Sequence, residues 1–160
     1  MSVNTVKERP ILFAAPMVLA LLAGRKTQTR RMVKPQPVWV GEPMNLPDSD
    51  QWCDGCNSPI IRCPYGQSGD RLWVRETLAA PRWASRITLE ITGVWVERLA
   101  EITEWDAYAE GISKSKTTDP NPCASYRAMW DSLNCPPGFR WQDNPWVWKI
   151  CFKVLAKDAK

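Results

Sequence analysis

From Ile87 to Val96 the side chains alternate, with Ile87, Leu89 and Ile91 on one face of an extended chain and Thr88, Glu90 and Thr92 on the other. A period of two sustained over this length marks a half-buried strand, and it constrains the fold more than any other stretch. Gly93 inside it predicts a bulge or bend. The alternation returns in Arg71-Leu72-Trp73-Val74-Arg75-Glu76, after a turn over Gly66–Asp70. There Leu72 and Val74 point one way, and Arg71, Trp73 and Arg75 the other. Trp146–Phe152 closes the chain as a strand with Trp146, Trp148, Ile150 and Phe152 on one face, followed by a frayed tail. Shorter strands are expected at Ile11–Phe13 and Arg31–Lys34.

Fourteen prolines in 160 residues leave little room for long helices. Three short ones remain. Pro16–Ala23 is an apolar run with Pro in the first turn and Gly24 at its stop. Glu104–Glu110 is capped by Thr103, with Asp106 at the capping-box position, and ended by Gly111. A third starts at Pro122 and carries Tyr126, Met129, Trp130 and Leu133 as an apolar stripe, predicted to be core. The expected architecture is α+β: a small β-barrel with two or three short helices packed on it. Residues 1–160 read as one domain.

Residues 35–67 differ in composition, being rich in Pro, Gly, Asp and Asn without periodicity, and read as an inserted loop or lid. Cys53 and Cys56 within it have zinc-knuckle spacing, with Cys63 further on. A structural zinc needs a fourth ligand, for which Cys123 or Cys135 would have to come from distant loops. A redox role for the pair is disfavoured, because no thioredoxin-like βαβ pattern surrounds it. No cofactor is expected, and no metal at the functional site.

The chain contains no histidine, so acid–base chemistry falls to Lys, Asp, Glu, Tyr or Cys. Its formal charge of +4 suits an anionic or nucleotide-like ligand but is low for a protein that coats nucleic acid. Ile11–Ala23 imitates a secretory signal, but Pro10 and Pro16 interrupt it and the run is too short to span a bilayer. A soluble cytoplasmic protein is expected, acting without a membrane, as a monomer or small homo-oligomer.

After the first helix, Gly24-Arg25-Lys26-Thr27-Gln28-Thr29-Arg30-Arg31 packs four cations and two hydroxyls into eight residues. Cations following a helix C-terminus complement its negative end without further role. The interleaved hydroxyls ask for more. Gly24-Arg25-Lys26-Thr27, Thr29 and Arg31 resemble the signature of the ASCH domain, a relative of the PUA-like β-barrels that handle RNA. The resemblance extends through Gly69–Arg75, Ile87–Ile112 and Trp146–Phe152, leaving 35–63 as an insertion. It implies a PUA-like barrel. The best-understood enzymes of that family are small amidohydrolases that remove the acyl group from N4-acetylcytidine and related nucleosides.

By that resemblance Thr29 is the nucleophile, Lys26 the base that activates it, and Glu110 the proton donor. Arg31, Gln28 and Trp73 are the candidate substrate contacts; Trp73 equally reads as cover for a barrel end. The chemistry makes demands on both ionisable groups. A lysine must be desolvated or held near other cations to act as a base, and Glu110 needs an apolar setting to carry a proton at neutral pH. Geometry makes a third demand. In a flat strand Lys26 and Thr29 would face opposite ways, so the chain must turn at Thr27-Gln28, or Lys26 must belong to the helix-end turn. Two further readings use the same segment: an RNA-binding module with Lys26, Arg30 and Arg31 on phosphates, and a ribonuclease with Lys26 stabilising a phosphorane.

Overall fold

The computed structural model describes residues 5–37, 40, 51–53, 60–113, 121–134 and 136–157. The elements run β1 (Glu8–Leu12), α1 (Ala15–Leu22), β2 (Gln28–Met32), β3 (Gln51–Cys53), β4 (Ile60–Arg62), β5 (Arg71–Arg75), β6 (Ile87–Arg98), α2 (Glu104–Ala109), α3 (Pro122–Leu133) and β7 (Trp146–Lys157). Among the described residues no helix is long and apolar enough to cross a membrane.

Five strands pair in the order β1-β5-β6-β7-β2; β1 and β5 are parallel and the other pairs antiparallel. The long alternating strands sit at the centre, as their two-sided environment requires. The register shifts at Ile91/Gly93, so Gly93 marks the bulge its sequence position predicts. The ladder ends at β1 and β2, giving an open mixed sheet where a closed barrel was expected. Helix α1 connects these two edge strands. A side chain rather than a ladder links them: Arg31 Nη2 on β2 donates to the Leu12 carbonyl at the end of β1, 2.7 Å away.

Three further expectations are corrected. The closing strand does not fray after Phe152 but continues to Lys157, because β6 is long enough to pair Ile87 with Lys157. The segment 35–67 holds a two-stranded sheet, β3 with β4, whose three-residue strands are too short to leave a readable period. The α3 stripe is only partly core: Tyr126 and Trp130 are buried, while Leu133 is 62% exposed.

Two apolar clusters form around the sheet. The larger joins Ile11, Phe13, Val18, Leu21, Leu72, Val74 and the even-numbered side chains of β7: Trp148, Ile150 and Phe152. The smaller joins Leu99, Ile102, Ala107, Tyr126 and Trp130 with Val147. Val147 and Trp148 are consecutive on one strand, so they point to opposite faces and each anchors one cluster. The edge strand β2, paired to β7 through Thr29↔Ile150 and Arg30↔Lys149, inherits the same division.

Candidate functional site

Helix α1 ends at Gly24, whose φ of +74° lets the chain fold back so that the amides of Arg25 and Lys26 both donate to the Ala20 carbonyl. Lys26 therefore belongs to the helix-end turn, and the strand begins only at Gln28. The Thr27 amide donates to the Ala109 carbonyl, and the Thr27 carbonyl accepts from the Phe152 amide. These bonds hold the turn between α2 and β7. This meets the geometric demand raised by the sequence: Lys26 is freed from the strand's alternation and lines the same cavity as Thr29.

The other partner comes from α2. Thr103 caps it, with a reciprocal bond from Asp106, and Glu110 is its C-terminal cap. Gly111 follows at φ +106°, where a Cβ would lie 3.0 Å from the Ala20 Cβ. The absence of a side chain at Gly111 lets the end of α2 press against the end of α1. Lys26 Nζ then reaches the Glu110 carboxylate at 2.9 Å and the Glu110 carbonyl at 2.8 Å, while Arg25 donates to the Gly111 carbonyl at 3.0 Å. The cations after α1 do complement a helix C-terminus, but it is that of α2.

Glu110 is bound twice. Its second oxygen accepts from Arg30 Nη1 at 2.9 Å, and the same guanidinium reaches Glu97 at 2.7 Å and Asp106 at 3.1 Å. Lys149 adds a 3.0 Å contact to Asp106. Three cations (Lys26, Arg30, Lys149) thus face three carboxylates (Glu97, Asp106, Glu110). Such balance is what lets so many charges sit below the surface. Gln28 joins this network, donating to Asp106 and accepting from Arg30. Burial alone would raise the Asp106 carboxyl, but bonds from the Thr103 amide, Gln28 and Lys149, with the Arg30 charge, hold it well below the usual carboxylate range. Burial lowers the Lys26 ammonium below its ordinary value; Glu110 opposes this, and Arg31 and Arg30 reinforce it. Burial and the nearby Glu110 carboxylate push the Tyr126 phenol up.

Lys26, Thr29 and Glu110 line a cavity of about 540 Å³ together with Phe13, Arg31 and Tyr126. That volume falls within the range of small-molecule sites. The Phe13 ring lies between two cations, 5.4 Å from Lys26 Nζ and 4.9 Å from the Arg31 guanidinium. Of the sequence-predicted contacts, Arg31 lines this cavity whereas Gln28 and Trp73 do not. Gln28 orients the ion network, and Trp73 on β5 faces Arg75 and Arg82. The apolar setting expected for Glu110 is corrected: it sits between two cations.

Sequence reasoning missed Arg30 as the hub of the network, and missed Phe13 and Tyr126. The strand expected at Arg31–Lys34 in fact runs Gln28–Met32, and the carboxylate partners of Arg30 lie 67 to 80 residues away, where no local spacing points. The cysteine set falls largely outside the described residues: Cys56 and Cys135 are not described, and of Cys53 only the backbone is. Among the described residues no cluster of side chains fit to hold a metal ion occurs.

No family model matches the chain, and no curated protein matches it. Solved structures do. A high-resolution crystal structure of an ASCH domain from Lactobacillus crispatus JV V101 superposes with a TM-score of 0.53 at 17% identity, covering 94% of this chain and 80% of that one. The fold is ASCH-like. Protein EF3133 from Enterococcus faecalis V583, of the family DUF984, superposes with a TM-score of 0.53 at 12% identity, over 98% of this chain and 86% of that one. The ASCH-like frame accounts for the site's placement. It brings the end of its first helix, its edge strand and the end of α2 to one point.

Proposed function

We propose that this chain is an ASCH-family amidohydrolase that removes the acyl group from N4-acylated cytosine nucleosides, converting N4-acetylcytidine and water to cytidine and acetate. The observation that carries the reading is the buried Lys26–Glu110 pair lining one cavity with Thr29. A hydroxyl, an amine and a carboxylate can supply the nucleophile, base and acid for amide hydrolysis without histidine.

Thr29 Oγ1 attacks the N4-acyl carbonyl while its proton passes to the neutral Lys26 amine. Burial favours that neutral form. Lys26 hands the proton across the 2.9 Å contact to Glu110. Glu110 delivers it to the departing cytosine nitrogen as the C–N bond breaks, leaving the acyl group esterified to Thr29. Water then hydrolyses the ester, releasing the acid and restoring the hydroxyl. Arg31, half-buried on the cavity wall, positions the substrate.

The phosphate-binding reading asks Lys26, Arg30 and Arg31 to meet phosphate and the ribonuclease reading asks Lys26, yet Lys26 and Arg30 are committed to carboxylates, which leaves Arg31 alone of the three. The test is hydrolysis of N4-acetylcytidine followed by the change in ultraviolet absorbance. Turnover that Thr29→Ala removes supports the reading, and an inert wild-type protein overturns it.

A further inference from the structure

A second cavity of about 480 Å³ adjoins the first and shares Arg31, Met32 and Asn134 with it. Among the described residues its lining includes three cations, Arg31, Lys34 and Arg62, and no carboxylate. The contrast with the first cavity is sharp in chemical terms. There Lys26 and Arg30 meet acids, whereas here, among the described residues, Arg31 and Lys34 meet carbonyl or aromatic groups. Arg31 donates to the Leu12 carbonyl and faces the Tyr65 ring, and Lys34 faces the Phe139 ring. Arg31 Nε is buried without a hydrogen-bond partner, at the junction of the two cavities. A donor in that state is costly and is satisfied when an acceptor arrives. Three like charges gathered in one concave space likewise attract an anion.

We propose that this second cavity is a phosphate subsite, and that a nucleotide carrying a phosphomonoester is preferred over the free nucleoside. The base and its acyl amide occupy the first cavity, Arg31 stands at the boundary, and the phosphate is met by Arg31, Lys34 and Arg62. A guanidinium suits this role because its fork of donors matches phosphate oxygens. The inserted segment gains a purpose, since Arg62 and Tyr65 on one wall come from it. The identity of the base rests on the amidohydrolase reading; the phosphate chemistry rests on this cavity alone.

Calorimetric titration of cytidine monophosphate against cytidine tests the subsite without requiring turnover. At low salt the monophosphate binds about tenfold or more tightly. That preference shrinks as salt rises and falls toward one in the Lys34→Ala/Arg62→Ala double variant. An unphosphorylated-end cytidine trinucleotide RNA is the second arm. If it binds as tightly as the monophosphate, the phosphate chemistry holds but its source is an RNA backbone, which overturns the mononucleotide assignment. Equal affinity for cytidine and its monophosphate, or no binding of either, overturns the proposal even if N4-acetylcytidine is hydrolysed. A monophosphate preference in a protein that fails to hydrolyse the acylated nucleoside, free or phosphorylated, overturns the amidohydrolase reading and leaves the subsite standing.

Discussion

Lys26 Nζ donates twice to one residue, to the Glu110 carboxylate at 2.9 Å and to the Glu110 main-chain carbonyl at 2.8 Å. The pair closes the seam between two helix ends, and both side chains are at most 2% exposed. A contact through the carbonyl fixes the amine against α2 whatever the protonation state of the carboxylate. The amine can therefore give up a proton without losing its place, which a lone ion pair would not allow.

Glu110→Gln keeps the shape but removes the charge that Lys26 and Arg30 share. Breaking a buried pair by taking one partner costs about 3 to 5 kcal/mol in general. The glutamine retains one acceptor, so a loss near the lower end is expected from denaturant unfolding. In catalysis the loss falls on kcat more than KM, and it shrinks for substrates with better leaving groups. Equal slowing of every substrate would mean that Glu110 only positions Lys26.

Thr29→Ala and Lys26→Ala each abolish turnover, and the double variant is hardly slower than either single, because members of one catalytic unit do not add. Multiplying losses in kcat would show that the two act independently.

Activity rises with pH. Lys26 works as a base only when neutral, and burial, by lowering its pKa, brings the neutral form within reach below the ordinary lysine range. The sign follows from the charge: raising pH removes the proton, so kcat/KM increases through the Lys26 titration and levels above it. Arg31→Gln removes a positive neighbour that helps lower this pKa and so moves the inflection upward. A profile that falls through this titration, or an inflection unmoved by Arg31→Gln, would contradict the base assignment.

Arg30→Met leaves Glu97, Asp106 and Glu110 without their common guanidinium. The side chain is fully buried, so several kcal/mol of stability, about 3 to 5, is expected to go. Arg30→Lys rescues little of it, because an ammonium cannot reproduce the fork. A change below about 1 kcal/mol in thermal or denaturant unfolding would show that the network matters little.

The parts of this fold legible in the sequence were those governed by local physics. The alternation of Ile87–Val96 and the Gly93 bulge followed from period and backbone freedom, and the Thr103–Asp106 cap from hydrogen-bonding capacity within three residues. Glu110 was legible through the family resemblance; a carboxylate at a helix C-terminus is misplaced by itself, and two cations resolve the misplacement. What stayed hidden depends on chain segments far apart. Arg30 reads as one more cation in a basic run until β6 and α2 deliver Glu97, Asp106 and Glu110 to it. Trp73 follows the same logic in reverse: its strand was plain, but the open sheet places it outside the cavity.

The most direct measurement is chromatographic analysis of purified protein incubated with N4-acetylcytidine, wild type beside Thr29→Ala. The account predicts cytidine and acetate in equal amounts from the wild type, and a rate at least roughly a thousandfold lower from Thr29→Ala. No cytidine from the wild type, or an undiminished rate from Thr29→Ala, would contradict it.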